Sequence, residues 1–223
     1  MNIEQARFNM IEQQIRPWDV LDAGVLELLA VVKREDFVPV AHKALAFMDT
    51  EIPLGDAAGV AKGQVMLAPR VEARLLQELK VARHEKVLEV GTGSGFMAAL
   101  LGHRAQRVIS MELDAALAEQ AAANLKRAGV LNVTVLNQDG AKGLASEAPF
   151  DVIALSGSVE AVPEELLQQL KVGGRLAVVI GDEPVMRAQV FTRVSEKDFS
   201  TRILFDTVAP RLQGFAHRNA FAF

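Results

Sequence analysis

One stretch constrains this chain more than any other: Val87-Leu88-Glu89-Val90-Gly91-Thr92-Gly93-Ser94-Gly95. A short apolar run of strand length enters a turn with glycine at every second position, and an apolar, helix-compatible segment starts at Phe96. Glycine leaves the backbone bare, so a ligand can approach where any Cβ would collide with it. A turn at the carboxyl end of a first strand is also where open α/β sheets bind ligands. The spacing is G-x-G-x-G, with Phe96 where a dinucleotide fold would place its third glycine, which argues against a nicotinamide oxidoreductase. Glu89 precedes the first glycine by two residues. An acid at the end of a buried strand is costly without a partner, and a ligand ammonium, met directly or through water, would supply one.

The rest of the chain fits a fold around that turn. Strands are expected at Val87–Val90, Val108–Met111, Val133–Leu136, Val152–Leu155 and Leu176–Ile180, with helices starting near Phe96, Ala115 and Pro163. This alternation indicates βαβ units and a parallel sheet. After Gly181 two more strands, Gln189–Val194 and Thr201–Val208, flank the polar turn Ser195-Glu196-Lys197-Asp198 and read as an antiparallel hairpin. Before Lys86 the pattern is mainly helical. Leu21, Val25, Leu28, Leu29 and Val32 recur at helical spacing, as do Leu75, Leu76 and Leu79 behind a first-turn Pro69. The stretch from Pro53 to Gly59 between them reads as loop. The expected fold class is therefore α/β: a Rossmann-like, mostly parallel seven-stranded sheet with helices on both faces, an N-terminal helical cap and a C-terminal antiparallel hairpin. One domain over 1–223 is expected, made of a cap and substrate-side segment (1–80), a ligand-binding core (81–181) and the hairpin (182–223).

Two further strand ends carry acids. Glu112, followed by Leu113, ends the second strand, where a carboxylate accepts hydrogen bonds from both hydroxyls of a ribose. The bland alternative is that Glu112 caps the next helix. Asp139-Gly140 ends the third strand and suits an adenine edge, or is a plain turn. Bulk properties narrow the class. A net charge of −4 is too mild for a nucleic-acid binder or membrane-surface protein. No run suits a membrane span, and the start Met1–Gln5 has no secretion-signal pattern, so a cytoplasmic location is expected. The chain has 0 cysteines, which removes disulfides and thiolate chemistry. It has 0 tyrosines and few aromatics, which argues against a stacking platform for single strands. His42, His84, His103 and His217 show no metal-ligand spacing and read as surface residues, so no metal is expected. Met10, Met48, Met66 and Met97 read as core filler. Phe215, Phe221 and Phe223 read as packing within the chain.

The glycine turn resembles motif I of class I S-adenosylmethionine-dependent methyltransferases, with Glu112 and Asp139 at the next two motifs. Over most of its length the chain resembles the protein-L-isoaspartate O-methyltransferase family. The matching stretches include Arg34-Glu35-Asp36-Phe37-Val38-Pro39, Phe47-Met48-Asp49, Ile52-Pro53-Leu54-Gly55, Gly63-Gln64, Ala68-Pro69, Ala148-Pro149-Phe150-Asp151, Pro163-Glu164-Glu165-Leu166-Leu167 and Gln169 to Leu176. The resemblance implies S-adenosyl-L-methionine as cofactor, contacted by Glu89, Gly91, Gly93, Glu112, Asp139 and Gly140. We extend the expected contacts to the neighbours Val90, Thr92, Gly95 and Leu113. It implies as partner an isoaspartyl-containing protein or peptide, whose abnormal carboxylate is methylated so that ring closure and repair follow.

The departures fall on the acceptor side. Where the family reads Gly-Gln-Thr-Ile-Ser-Ala-Pro, this chain reads Gly63-Gln64-Val65-Met66-Leu67-Ala68-Pro69, so Leu67 stands at the family's hydroxyl position and Val65 replaces a threonine. The loop Asp56–Lys62 is also longer. A carboxylate acceptor, with a free pKa of about 4, is ionised near neutral pH and needs no base. Losing the hydroxyl then weakens alignment rather than deleting an essential group. Arg70 is a candidate for holding a carboxylate, or else a solvated residue in a first helical turn. Two alternatives stay open at this point: another acceptor on the same scaffold, favoured by Leu67 and Val65, or a cofactor-binding protein without catalysis.

Overall fold

The computed structural model describes residues 2–216. Helix α1 (Ile3–Met10) starts at Asn2, whose side chain accepts the Gln5 amide, and runs on into a wider turn at Ile11–Ile15. Helix α2 (Ala23–Val31) is capped by the Asp22 carboxylate, which accepts the Val25 amide at 2.9 Å. Strands β1 (Ile52–Pro53) and β2 (Val65–Met66) form a small antiparallel pair around helix α3 (Ala57–Ala61). The expectation of a loop from Pro53 to Gly59 is thus corrected at both ends. Pro53 closes a strand, and the Asp56 side chain accepts the Gly59 amide at 2.9 Å and nucleates one short helix. Helix α4 (Pro69–Leu79) has Pro69 in its first turn, where a missing N–H is no loss.

The main sheet begins at β3 (Lys86–Val90). It continues through α5 (Phe96–Arg104), β4 (Arg107–Glu112), α6 (Ala115–Arg127), β5 (Val133–Asn137), β6 (Phe150–Val159), α7 (Glu164–Gln168), β7 (Leu170–Asp182), β8 (Val185–Arg193) and β9 (Phe199–Thr207). Its order is β5-β4-β3-β6-β7-β8-β9, parallel from β5 to β7 and antiparallel from β7 to β9. The seven-stranded, mostly parallel architecture and the terminal hairpin are those expected. Strands β6 and β7 run longer than their apolar centres, because paired backbone continues through Ser156–Val159 and across Gly173-Gly174. Pro163 is the cap residue before α7 rather than its first member.

Alternation along the strands sends side chains to two apolar layers. Val87, Val108 and Val152 join one core with α2, α4, α5 and α6; Leu88, Ile109 and Ile153 join the other, which also takes Leu166 of α7 and Phe215. Phe215 is thus packed within the chain, while Phe221, Phe223 and His217 lie outside the described residues. Met10, Met66 and Met97 are buried, but Met48 is 51% exposed: it lies in the turn after Val40–Leu45 and packs into neither core. His84 and His103 are exposed and His42 is half-buried. Among the described residues no helix is long and apolar enough to cross a membrane.

The chain order reverses between β3 and β6: β4 and β5 lie on one side of β3, and the chain then crosses to the other. A crevice opens outside the carboxyl ends of neighbouring strands at such a switch point.

Candidate active site

Each element delivers its residues to that crevice for a local reason. The β3–α5 turn has Gly91, Gly93 and Gly95 at φ +91°, +53° and +85°, backbone that L-side chains rarely adopt. A cleft lined by Val90, Gly91, Gly93, Met111, Glu112, Leu113 and Gly140 runs across the tips of β3 and β4. Gly140 sits so close to Val90 that an added Cβ would lie 2.6 Å from its side chain. Gly95 does not line this cleft: it faces α6, where a Cβ would meet the Ala121 carbonyl at 3.3 Å. Its place is in helix packing.

Glu112 is buried at the tip of β4, and its two oxygens accept the amides of Gly93 at 2.9 Å and Asp114 at 3.0 Å. The cap of α6 is Asp114, which accepts the amides of Ala116 and Leu117, so Glu112 is not spent as a helix cap. Asp139 is exposed beside the cleft; its Oδ1 accepts the Ala141 amide at 2.9 Å, and Gly214 packs against its carboxylate.

Glu89 is fully buried on the face shared with α4 and α5. Register places it opposite Ser110 of β4, and it takes hydrogen bonds from Ser110 Oγ at 2.6 Å and Ser156 Oγ at 2.8 Å. Thr92 reaches the same network, its hydroxyl 2.6 Å from that of Ser110. Burial pushes the Glu89 carboxyl up to about 8, against the two serine hydrogen bonds, with the nearby Glu72 and Glu112 adding to the rise. Glu72, on α4, is buried too and is raised to about 7, chiefly by burial, although Arg34 pairs with it. Arg34 is 1% exposed and also donates to the Leu67 carbonyl at 2.8 Å.

Sequence reasoning passed over Ser110 and Ser156. Ser110 left a signal, a polar residue at the same strand parity as Glu89; Ser156 left none. Among the described residues no group of three or more His, Asp or Glu is placed to hold a metal ion. The residues present do fit a sulfonium nucleoside: bare glycine backbone, a carboxylate at a ribose position and a buried acid beyond the turn.

The family model described as Protein-L-isoaspartate(D-aspartate) O-methyltransferase (PCMT) matches residues 5–208. The chain belongs to this family. The Syntrophobacter fumaroxidans protein named Protein-L-isoaspartate O-methyltransferase 1 is 40% identical over 182 residues, 82% of this chain and 82% of the relative. A Geobacter metallireducens protein named Protein-L-isoaspartate O-methyltransferase is 38% identical over 198 residues, 89% of this chain and 88% of the relative. A Plasmodium falciparum structure described as such a methyltransferase, solved in complex with S-adenosyl-L-homocysteine, superposes with a TM-score of 0.76 at 19% identity, covering 96% of this chain and 99% of that one. That likeness shows the fold.

The segment Gly63 to Arg70, where the sequence departs from the family pattern, lies beside the glycine turn. Gly63, Gln64 and Val65 line the main cleft, and Gln64 donates to Asp114 at 3.0 Å, tying this segment to the cap of α6. Leu67 is 5% exposed and does not reach the main cleft. It lines a separate void of about 20 Å³, room for one water, which also touches Glu72, Glu89, Gly91 and Ser156. Arg70 is half-buried, with 31% of its side chain exposed. It forms an ion pair with Asp49, and its guanidinium lies 4.3 Å from the centre of the Trp18 ring. Sequence could not foresee this, because the three residues lie far apart along the chain.

Proposed function

We propose that this chain is a protein repair enzyme that transfers a methyl group from S-adenosyl-L-methionine to the free carboxylate of isoaspartyl residues in proteins and peptides. The observation that carries the proposal is the family match over residues 5–208, which takes in the acceptor segment and all of the cleft lining except Arg211, Leu212 and Gln213. The cofactor supplies a methyl on a positively charged sulfur, which an acceptor carboxylate oxygen takes as the carbon–sulfur electron pair returns to sulfur. No proton moves, so the protein needs no base and contributes alignment and exclusion of water.

In this reading Glu112 holds the ribose, and Met111, Leu113 and Gly140 flank the base beside Asp139. Val90, Gly91, Thr92 and Gly93 border the amino-acid end, and Glu89 faces its ammonium across the water-sized void. Gly95 shapes the turn, Leu67 closes the apolar wall behind it, and Arg70 fixes the acceptor segment through Asp49. We read residues 1–223 as one domain, with 1–80 serving the substrate side, 81–181 the cofactor and 182–223 the closing hairpin. We assign the enzyme to the cytoplasm; its lack of cysteine is compatible with that compartment.

The test is incubation with labelled cofactor and an isoaspartyl peptide beside its aspartyl twin. Base-labile label on the isoaspartyl peptide alone is expected, and label on neither overturns the proposal. A second reading, transfer to another acceptor on the same scaffold, is favoured by Val65 and Leu67, whose side chains offer no hydroxyl; label on a different carboxylate or phenol would support it.

A further inference from the structure

The main cleft carries charge of both signs: Glu112 and Asp114 line it, and so do Lys62 and Arg211. Glu112 is assigned above to the ribose of a cationic cofactor. Lys62 acts electrostatically on Asp114, and Arg211 lies in the residues that follow β9.

Those residues are held in place. Ser158, at the carboxyl end of β6, donates its amide to Pro210 and its hydroxyl to the Ala209 carbonyl, each at 2.8 Å, and accepts the Leu212 amide at 2.9 Å. Gln213 donates to the Lys62 carbonyl at 3.0 Å, joining this strap to the acceptor-side loop. Leu212 packs so closely on the turn that a Cβ on Gly91 would lie 2.7 Å from it. Arg211 therefore projects from fixed backbone. Its Nη2 donates to the Gly181 carbonyl at 2.8 Å and pairs with Asp182, which is exposed. Its Nη1 is buried and finds no hydrogen-bond partner among the described residues. A buried guanidinium N–H without an acceptor is unfavourable, and an anion in the cleft would relieve it.

The hydroxyls that would otherwise hold an acceptor are missing or committed. Val65 and Leu67 carry none, and Ser156 donates to Glu89. We propose that Arg211 binds the acceptor's carboxylate through Nη1, with Lys62 adding positive charge at the mouth, so that one oxygen is held while the other faces the methyl group. This makes Arg211 a substrate-binding residue and makes a charge-assisted contact at a fixed place, rather than a hydroxyl contact, the means by which the acceptor carboxylate is held. The inference rests on the methyl-transfer reading above.

Binding to protein saturated with S-adenosyl-L-homocysteine tests it, with an isoaspartyl peptide and its aspartyl twin as the titrated probes. Wild type is expected to bind the isoaspartyl peptide more tightly than the twin. Arg211→Gln is expected to weaken isoaspartyl binding about 10–100-fold, the worth of one charge-assisted hydrogen bond, and to leave S-adenosyl-L-homocysteine affinity within about twofold. Arg211→Lys, which keeps the charge without the fork, is expected to recover part of the loss. Unchanged peptide binding in Arg211→Gln overturns the inference. So does a parallel loss of S-adenosyl-L-homocysteine affinity, which would assign Arg211 to the cofactor or to the fold. A wild type that binds the peptide but forms no ester overturns the methyl-transfer reading and leaves the binding role of Arg211 standing. A wild type that does not bind the peptide overturns both.

Discussion

Replacing Glu112 by alanine removes the carboxylate at the tip of β4. In the structure its oxygens each take one backbone N–H, from Gly93 and from Asp114, and the side chain lines the cleft. The two hydroxyls of a bound ribose would donate to the same oxygens. A hydrogen bond to a charged group contributes about 1.5–3 kcal/mol, so losing two costs about 3–6 kcal/mol. At about 1.4 kcal/mol per tenfold, that is a loss in affinity on the order of 10²–10⁴. The freed amide of Gly93 loosens the turn as well, so the lower figure is a floor. Calorimetric titration with S-adenosyl-L-homocysteine measures it, with a thermal melt to show that the variant is folded. Glu112→Gln keeps one acceptor oxygen and should fall between, at about 10–100-fold. A folded Glu112→Ala variant that binds within threefold of wild type, about 0.7 kcal/mol, would refute the placement of the ribose at Glu112.

Other consequences follow from the buried acids and the acceptor wall. With its pKa near 8, the Glu89 carboxyl is protonated at neutral pH in the free protein, and pairing with a ligand ammonium requires that proton to leave. Affinity for S-adenosyl-L-homocysteine should therefore rise from pH 6 to 8 with proton release, and Glu89→Gln should flatten that dependence; a flat wild-type profile contradicts it. Glu72 and Glu89 both bind protons more tightly folded than at their ordinary 4.5, to about 7 and about 8. Their contribution to stability is complete below pH 4.5 and is lost as pH rises from there through 7 and 8, so denaturant midpoints of the ligand-free protein should fall between about pH 5 and 8 and level off above. Arg34→Ala leaves the buried Glu72 without its partner at a cost of about 3–5 kcal/mol, which in a domain of this size lowers Tm by about 6–20 °C; a shift under about 2 °C would argue against the pair. Leu67→Ser puts a hydroxyl beside the water-sized void and should raise isoaspartyl kcat/KM, by up to about 10²-fold if alignment limits the rate; complete loss of activity would count against the acceptor side lying there.

Much of this molecule is written in short stretches of its sequence, because the physics behind those stretches is local. Short apolar runs mark Val87–Val90 and Val108–Met111 as strands, alternate glycines mark a turn open to ligand, and acids at or near the ends of three strands mark the edge where a ligand is expected before any strand is paired. Family residues could likewise be recognised at Gly63-Gln64 and Pro69, since turn and helix-start chemistry depends on near neighbours. Tertiary structure decided the rest. Ser110 and Ser156 meet at Glu89 only because β4 and β6 both pair with β3. Arg34 reaches Glu72 and Leu67 across more than thirty residues, and Arg70 is spent on Asp49 and Trp18. Arg211 belongs to the cleft because Ser158 pins the chain that carries it. Periodicity and turn chemistry specify which way a side chain leaves its own element, whereas its partners depend on how distant elements pack, and packing has no signature within one stretch of chain.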